Sequence, residues 1–550
     1  MPRSKSKKKS IIAPVDCAPA DVVVIDNNSK YLQGNSSYIV EWSETNIAHI
    51  LFITFISLLI IAAPKNELFT DRGIFFGIGI LALWRYSWGF LHFARSNIYR
   101  RVVFPRLRRE ADRHTALAKE GGRVPDAFLI VTSFRIDGDT TAKVYRAAFK
   151  AALNAPGRAT VVASIVEMGD QRLVRSMHRL ICGNGSDVDL VIVRINGSGK
   201  RDALAYAFRA VAKLLPQSDD VVAVIDGDSI VPEDLVRKCA GFFSADPTVG
   251  ALTTDEVSSV RGQAAFHLWY SLRFAQRDIL MSSNGLARRV LTLTGRMSMF
   301  RASVICNPDF VRQVEEDYID HWRLGRVKFL TGDDKSSWFW LLRKGYRMLY
   351  VPDVTVATVE DPPTAAFIPA AAQLMTRWFG NMLRTNGRAL ALGPQRIGYF
   401  TWWTILDQRI SMWTSLAGLV MVILVALFES PLIIPTYAVW VLSTRYIMTL
   451  MLFNARRRVS IFYPFFIYFN QIFGSIIKTF IFFRLDRQKW TRQKTTLAYS
   501  GASMAIALRS LSSLYMHALS ITVFVTAIAL FIGQLPLPDI GRLTAIFAMR

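Results

Sequence analysis

The chain has 550 residues and a net charge of +24, and 51% of its residues are hydrophobic. Because the apolar residues are concentrated in blocks, the composition favours an integral membrane protein with one sizeable extramembrane domain over a soluble protein. The positive charge fits basic loops beside an anionic lipid bilayer, or a polyanionic substrate or product. No nucleic-acid-binding module accompanies the charge, so nucleic acid is not an expected partner.

A basic and polar segment occupies residues 1–45, and no apolar core follows its charges directly. We therefore expect a cytosolic tail rather than a signal peptide. Two apolar runs within residues 46–94 predict two transmembrane helices, since each is close to the roughly 20 residues that cross a bilayer. Basic residues flank the pair on both sides, so the domain that follows is predicted to be cytosolic.

Short apolar, β-branched runs follow at residues 127–133, 160–166, 190–195 and 221–225, with helical stretches between them. Such runs are typical of buried parallel strands, so residues 95–398 are predicted to form an α/β, doubly wound domain with amphipathic interface helices. Ligands of such folds bind at the carboxyl ends of the strands. We therefore expect the functional residues at those ends.

Apolar sequence then returns, with predicted spans at residues 412–428 and 432–453. Polar residues interrupt the next apolar run, 463–483, which predicts a crossing, an interfacial helix or a broken helix. We assign residues 399–495 to a transmembrane and interface channel region, and residues 496–550 to a C-terminal region with the last span. Five or six crossings fit this pattern.

Two aspartates, Asp226 and Asp228, follow the fourth predicted strand at positions i and i+2. Carboxylates at this spacing can reach one Mg²⁺ or Mn²⁺ ion, which in turn binds a diphosphate. The alternative is a turn with solvated aspartates. Further along, Asp333 and Asp334 form an adjacent acid pair whose repulsion raises one pKa, as suits a general base. The alternative for this pair is a helix N-cap.

Arg377 and Trp378 offer a cation for a diphosphate leaving group and an apolar face for a sugar ring. The alternative is an amphipathic helix on the membrane with an aromatic anchor. Lys200 and Asp202 open a predicted helix after a short glycine-containing loop, where they can contact a nucleotide, although the loop lacks the full P-loop pattern. Glu167, after the second strand, can hydrogen-bond a base or a ribose.

With these residues assembled, the chain resembles the family-2 (GT-A fold) membrane synthases that make cellulose, chitin, hyaluronan and alginate, and it is most similar to the alginate branch. The resemblance covers most of the chain, over residues 47–494. It is carried by the strings Leu-Trp-Arg-Tyr-Ser-Trp-Gly at 83–89, Val-Thr-Ser-Phe-Arg-Ile-Asp at 131–137, Ser-Ile-Val-Glu-Met at 164–168, Arg-Val-Leu-Thr-Leu-Thr-Gly-Arg at 289–296 and Phe-Arg-Leu-Asp-Arg-Gln at 483–488.

The resemblance implies roles for the residues described above. The two aspartates after the fourth strand match the metal-binding pair, and Asp334 matches the catalytic base, with Asp333 beside it. Arg377 and Trp378 match the end of a Gln-x-x-Arg-Trp motif. In this chain Gln373 stands one residue too far away for that motif.

Further nucleotide-sugar contacts are implied by the same resemblance. Glu167 matches the nucleotide-binding acid after the second strand, and Thr132 and Asp137 lie in one of the matching strings. Trp490 and Arg492 are similar to a Trp-x-Thr-Arg-type element near the active site of hyaluronan and chitin synthases, with altered spacing. That role requires the segment around them to be cytosolic.

The resemblance implies a processive, inverting glycosyltransferase of the bacterial inner membrane that polymerises a β-linked exopolysaccharide from a nucleotide sugar and translocates it. The donor we favour is GDP-mannuronic acid (GDP-mannuronate), which would give polymannuronate (alginate). The alternatives are a β-glucan synthase that uses UDP-glucose and a non-catalytic polysaccharide transport subunit. The chain shows no cyclic-dinucleotide module, so the resemblance implies a separate cyclic-di-GMP-responsive co-polymerase subunit as partner.

Two arginines, Arg85 and Arg445, lie inside predicted spans that contain no Asp or Glu. A charge at such depth costs at least about 2.5–3.5 kcal/mol and normally faces a polar cavity or a partner. A growing polyuronate would supply one carboxylate per sugar as a counter-charge. We therefore predict that both arginines line a translocation channel; the alternative is snorkelling or pairing with a buried carboxylate.

Overall fold

The computed structural model describes residues 35–63, 72–183, 186–197, 199–490, 495–496 and 503–536. The helices of these parts are α1 (Asn35–Ser43), α2 (Asn46–Ala62), α3 (Arg72–Ile98), α4 (Phe104–Lys119), α5 (Gly138–Leu153), α6 (Met168–Cys182), α7 (Lys200–Lys213), α8 (Leu235–Cys239), α9 (Gly241–Ala245), α10 (Ala264–Gly285), α11 (Ala302–Ile305), α12 (Pro308–Glu315), α13 (Asp333–Lys344), α14 (Phe367–Ala391), α15 (Pro394–Ile397), α16 (Tyr399–Phe428), α17 (Ile433–Met451), α18 (Tyr463–Phe482) and α19 (Ser503–Phe531). The strands are β1 (Ala127–Thr132), β2 (Ala159–Ile165), β3 (Val188–Arg194), β4 (Val221–Asp226), β5 (Ser229–Ile230), β6 (Val249–Val260), β7 (Met297–Arg301), β8 (Tyr318–His321), β9 (Gly325–Lys328), β10 (Arg347–Glu360), β11 (Lys489–Trp490) and β12 (Thr495–Thr496).

The four apolar runs predicted as parallel strands are β1 to β4, which pair in parallel in the order β3-β2-β1-β4. The residues of β1, β2 and β4 are almost all buried, because α5, α6 and α7 pack against the sheet, whereas β3 at the sheet edge is mostly half-buried. The α/β prediction is confirmed, but the sheet as a whole is mixed rather than parallel. β7 runs antiparallel to both β4 and β6, and the full order is β3-β2-β1-β4-β7-β6-β10-β5.

Four helices in the described residues are long and apolar enough to cross a membrane: Tyr399–Phe428, Ile433–Asn454, Tyr463–Phe482 and Ile506–Phe531. The N-terminal apolar runs form α2, a shorter apolar helix, and α3. These helices extend well beyond several of the predicted spans, because polar residues at their ends continue the helical backbone.

The interrupted apolar run forms one unbroken helix, α18, so the possibility of a broken helix is wrong. Its polar residues face protein partners instead of disturbing the backbone. The indole Nε1 of Trp269 donates to Asn470 Oδ1 at 2.7 Å, and Gln471 accepts hydrogen bonds from Arg445. Gly474 lies against the ring of Phe379, where a Cβ would come within 3.4 Å of it. The irregular pattern therefore reflects side-chain contacts with α10, α14 and α17.

Arg456, just after α17, ties the apolar helices to the sheet domain. Its Nη1 lies 2.9 Å from Asp255 Oδ2 and 3.6 Å from Asp278 Oδ2, and both carboxylates are buried. Tyr350 donates to Asp278 Oδ1 at 2.8 Å, and Arg100 pairs with the same carboxyl group at 2.5 Å. Because buried charges need partners, this network fixes where the chain passes from helix α17 to the domain.

Candidate active site

A cavity of about 1020 Å³ lies at the carboxyl ends of β1 and β4. The strand ends, the start of α7, the start of α13 and helix α14 all contribute to its wall. Ligands of α/β folds bind at this edge of the sheet. The following residues singled out from the sequence line the cavity: Thr132, Lys200, Asp226, Asp228, Asp333, Asp334, Arg377 and Trp378.

Strand pairing and a glycine position the two aspartates of the Asp-x-Asp motif. The register places Thr132 beside Asp226 on the neighbouring strand. A Cβ at the intervening Gly227 would lie 2.6 Å from the carbonyl oxygen of Thr132 and 2.6 Å from Cδ1 of Ile136. Both distances are far inside van der Waals contact, so a larger residue would push the motif away from β1. Glycine thus keeps both carboxylates, including Asp228, at the strand end.

Lys200 joins the two acidic motifs. Its Nζ lies 2.6 Å from Asp226 Oδ1 and 3.2 Å from Asp333 Oδ2. Burial lowers the pKa of Lys200, but the facing carboxylates outweigh burial and hold that pKa above its ordinary value. Burial raises the pKa of Asp226 to about 6, and the nearby carboxylates add to this effect while Lys200 opposes it. The lysine therefore compensates two carboxylates that would otherwise repel each other.

The two acids at the start of α13 have different electrostatic environments. Gly332, with φ of 87°, precedes them in a left-handed conformation. Burial raises the pKa of Asp333, but Lys200 and Arg201 outweigh burial and lower that pKa below its ordinary value. The pKa of Asp334 is raised, first by burial and then by the charge of Asp333. Asp333 is thus the ion-paired member, and Asp334 is the more basic one.

An aromatic and arginine cluster forms the side of the cavity that faces the apolar helices. The Arg273 guanidinium lies 3.7 Å from the centroid of the Trp378 ring, and the Trp269 ring lies 5.7 Å from that of Trp378. Arg377, the preceding residue on α14, also lines the cavity. So does Gln373, despite its altered spacing. The α14 helix therefore presents both a cation and an aromatic ring to the site.

Other residues named from the sequence lie outside this cavity wall. Asp137 caps α5 by accepting a hydrogen bond within that helix, and Glu167 holds the N-cap position of α6. Asp202 lies in the first turn of α7. Trp490 belongs to β11, and its side chain lies outside the described parts of the chain, as does all of Arg492.

Sequence reasoning missed several charged residues of the cavity wall. Arg273 and Arg277 stand four residues apart on α10, and that i, i+4 spacing was the available signal. Arg296 ends one of the strings that carry the family resemblance, and it pairs with Glu360 at 2.5 Å and with Glu256 at 3.3 Å. These ion pairs join residues that are far apart in the sequence, so no local pattern indicated them.

A second cavity of about 620 Å³ lies among the apolar helices. It shares wall residues with the first cavity: Arg273, Arg277, Thr292, Lys335 and Trp378. Arg85 and Arg445 both line it, and no Asp or Glu is found in its wall within the described residues. The two cavities are therefore neighbours, and the second is lined by positive charge.

The pairing of Arg85 differs from the prediction. Its Nη1 lies 2.6 Å from Asp407 Oδ1, so for Arg85 the alternative of pairing with a buried carboxylate is confirmed. Asp407 belongs to α16, which begins well before the apolar run that had been taken as the span. Arg445 has no such acid among its described partners; it donates to Gln471, and to the hydroxyl of Tyr86 at 2.7 Å.

A mixed α/β sheet with an Asp-x-Asp turn at its carboxyl edge, joined to apolar helices, defines a GT-A-like glycosyltransferase with candidate membrane spans. Residues 125–381 match the family model described as glycosyltransferase like family 2. The chain is 46% identical to glycosyltransferase alg8 of Pseudomonas syringae pv. tomato, over 87% of this chain and 97% of that protein. It is 45% identical to glycosyltransferase alg8 of Azotobacter vinelandii, over 88% and 97% respectively.

The chain belongs to the family of glycosyltransferases named alg8, and it is a glycosyltransferase. Among solved structures, a mannosyltransferase from Pyrobaculum calidifontis in complex with GDP-Man and Mn²⁺ is similar, with 15% identity and a TM-score of 0.41. That match covers 71% of this chain and 98% of the mannosyltransferase. So low a similarity assigns no role to any residue here.

Proposed function

We propose that this enzyme polymerises β-linked mannuronate from GDP-mannuronic acid and passes the polymer through its apolar helices. The observation that carries the proposal is the pair of adjoining cavities, one lined by the acidic motifs and the other by cations. A polymer that grows in the first cavity would enter the second directly. A chain with one carboxylate per sugar also suits the wall of the second cavity, whose described residues include several cations and no acid.

The donor set around Asp226 and Asp228 fits a divalent cation. Both groups offer hard carboxylate oxygens at one edge of the cavity. Phosphate oxygens of the nucleotide sugar would complete the coordination. Mg²⁺ and Mn²⁺ sites of this kind use one or two carboxylates, phosphate oxygens and water. When bound, the cation would neutralise the charge that develops on the nucleotide diphosphate.

The residues around the cavity support an inverting displacement. Asp334 accepts the proton of the acceptor hydroxyl, whose oxygen attacks the anomeric carbon as the bond to the diphosphate breaks. Arg377 neutralises the departing diphosphate, and Trp378 packs against the acceptor sugar. Lys200 holds Asp226 and Asp333 in place between the donor and acceptor sides. Thr132, beside Asp226, borders the space for the nucleotide.

The proposed arrangement in the cell follows from charge. Residues 95–398 would form the cytosolic catalytic domain, beside a channel region at 399–495, in a bacterial inner membrane. Arg85 and Arg445 would line the polymer path. A separate cyclic-di-GMP-responsive co-polymerase would be the membrane partner, as the resemblance to the membrane synthases implies. The isolated enzyme would then lose regulation by cyclic-di-GMP but retain catalysis.

The decisive experiment supplies purified enzyme in lipid with radiolabelled GDP-mannuronate and UDP-glucose in parallel, with and without membranes that contain the partner. We expect polymer that a polymannuronate-specific lyase degrades, from the GDP donor only. Asp228→Asn should abolish synthesis and weaken metal-dependent GDP binding, because a charged ligand becomes a neutral amide. A glucan made from UDP-glucose would replace our proposal by the alternative donor. Absence of polymer with either donor, in both settings, would favour the non-catalytic transport subunit.

The channel assignment has its own test. Arg85→Gln and Arg445→Gln should shorten the polymer without changing GDP affinity, since both residues lie outside the first cavity. The effect of Arg445→Gln should be the larger, because its described partners are neutral whereas Arg85 is paired with Asp407. Wild-type polymer length in both variants would remove the two arginines from the path.

A further inference from the structure

Arg273 occupies the boundary between the two cavities. It lies on α10 of the sheet domain and lines both cavity walls, together with Trp378. Arg377, by contrast, belongs to the wall of the first cavity. A polymer end that moves from the site of transfer towards the apolar helices would therefore pass Arg273 and Trp378.

Within the described residues, Arg273 makes no hydrogen bond and no ion pair. Its neighbour on the same helix face, Arg277, lies 3.6 Å from the carboxylate of Glu256, and Arg296 is held by Glu360. Burial lowers the pKa of Arg273 to about 10, so the group remains cationic at neutral pH. The nearby Glu360 carboxylate favours the charged form of Arg273, but its ion pair is with Arg296. A partly buried cation without an ion pair of its own is costly, which points to an anionic group that arrives with the substrate.

The contacts of Arg273 leave its hydrogen-bonding edge available. The guanidinium carbon lies 3.7 Å from the Trp378 ring centroid and 5.1 Å from that of Trp269. A guanidinium that stacks on an aromatic ring does so with its flat face, and its N–H groups then point outward in its own plane. That geometry matches the two oxygens of a carboxylate.

We propose that Arg273 binds the carboxylate of the acceptor's terminal uronate and so selects a uronate chain end over a neutral one. The inference rests on the proposed polymannuronate synthesis, and it names the residue that recognises the acceptor sugar. A neutral sugar of the same shape has a hydroxymethyl group at this place. It would leave the Arg273 charge unpaired, and sites that lose a required polar partner discriminate strongly.

The wall beyond Arg273 continues the same chemistry. Lys478 lies in the second cavity with its Nζ 4.7 Å from the ring centroid of Phe379, the residue after Trp378. Its position gives a uronate chain a second cation deeper among the helices. A uronate chain end that Arg273 binds would thus move on into a cavity whose charge also suits it.

The test compares two acceptors of equal length and linkage: an oligomannuronate and the corresponding neutral manno-oligosaccharide. Elongation from GDP-mannuronate is measured for both, together with GDP affinity and direct binding of each oligosaccharide. In the wild type we expect the oligomannuronate to be preferred. Arg273→Gln should raise the KM for oligomannuronate roughly 10- to 100-fold, as expected for a lost charge-assisted hydrogen bond. It should leave GDP affinity and neutral-oligosaccharide binding unchanged.

Matched variants separate recognition from folding. Arg273→Lys keeps the charge but loses the bidentate geometry, so it should retain an intermediate preference. Arg209→Gln removes an exposed arginine that pairs with Glu315 away from the cavities, and it should match the wild type. If Arg273→Gln does not fold, the acceptor preference of Arg273→Lys decides, and an unchanged preference overturns the proposal.

The remaining outcomes are also decisive. Undiminished preference for oligomannuronate in Arg273→Gln would overturn the inference. Weakened GDP binding in that variant would overturn it as well, because the arginine would then serve the donor. Failure of the wild type to use GDP-mannuronate would refute the proposed function itself. That failure is read from the wild type alone, so the two kinds of failure are distinguishable.

Discussion

Replacing Asp334 by Asn separates the roles of the two adjacent acids at the start of α13. Asp333 is held 3.2 Å from Lys200, whereas Asp334 lines the cavity with a raised pKa. A positioned general base contributes about 10²–10⁴-fold to the rate. Asp334→Asn should therefore lower kcat by about that factor. Affinity for the nucleotide should stay close to wild type, since Asp334 acts on the acceptor hydroxyl.

The pH dependence gives a second measure of the same assignment. A protonated Asp334 cannot accept a proton, so kcat/KM should fall as the pH falls through its raised pKa. The charge of Asp333 contributes to that raised pKa. Asp333→Asn should therefore move the acidic limb of the profile to lower pH, in whatever activity remains. The wild type and both variants would be compared by initial rates of polymer synthesis.

Two results would refute this reasoning. A loss of nucleotide binding in Asp334→Asn as large as its loss of kcat would make Asp334 a structural or metal-linked group. The second result is a pH–rate profile whose acidic limb does not move in Asp333→Asn, together with a loss of kcat larger than that of Asp334→Asn. That result would make Asp333 the base instead.

Two further predictions concern the scaffold of the site. Gly227→Ala should lower stability by about 1–3 kcal/mol and abolish activity, because its Cβ would meet the Thr132 carbonyl oxygen at 2.6 Å. Gly138→Ala, which has no atom within 4 Å of the added Cβ, is the control in thermal unfolding. Arg456→Met should destabilise the fold by about 3–5 kcal/mol, since buried carboxylates lose their partner. The control Lys150→Met breaks an exposed ion pair and should leave the melting temperature unchanged. A variant that melts at the same temperature as its control would contradict the corresponding prediction.

The parallel half of the sheet was predictable because buried parallel strands read as continuous apolar runs. The four runs before Asp226 have this composition, and the Asp-x-Asp motif must then fall at the carboxyl edge. The antiparallel strand β7 was not predictable in the same way. Its sequence, Met-Ser-Met-Phe-Arg, has no β-branched residue, and its place is determined by pairing with β4 and β6.

Contacts between distant segments account for what the sequence did not reveal about the site. Lys200 was expected to meet a nucleotide, and nothing local indicated that its Nζ would join Asp226 to Asp333. Arg273 carries no motif at all; only the packing of α10 against α14 brings it onto Trp378. Glu167 and Asp137 illustrate the converse, because helix-start positions after strands are also where capping residues stand.

Arg85 and Arg445 in the second cavity show why a window of apolar residues is a poor guide to charge pairing. The hydropathy pattern ends a span at its first polar residue, but α16 continues for several turns beyond that point and carries Asp407 to Arg85. Arg445 has an amide and a phenol as partners, which orient its guanidinium without neutralising it. Any attraction of the cavity for a uronate chain must therefore come more from Arg445 than from Arg85. The difference in polymer length between Arg85→Gln and Arg445→Gln therefore measures how much of that attraction depends on a cation that has no acidic partner in the protein.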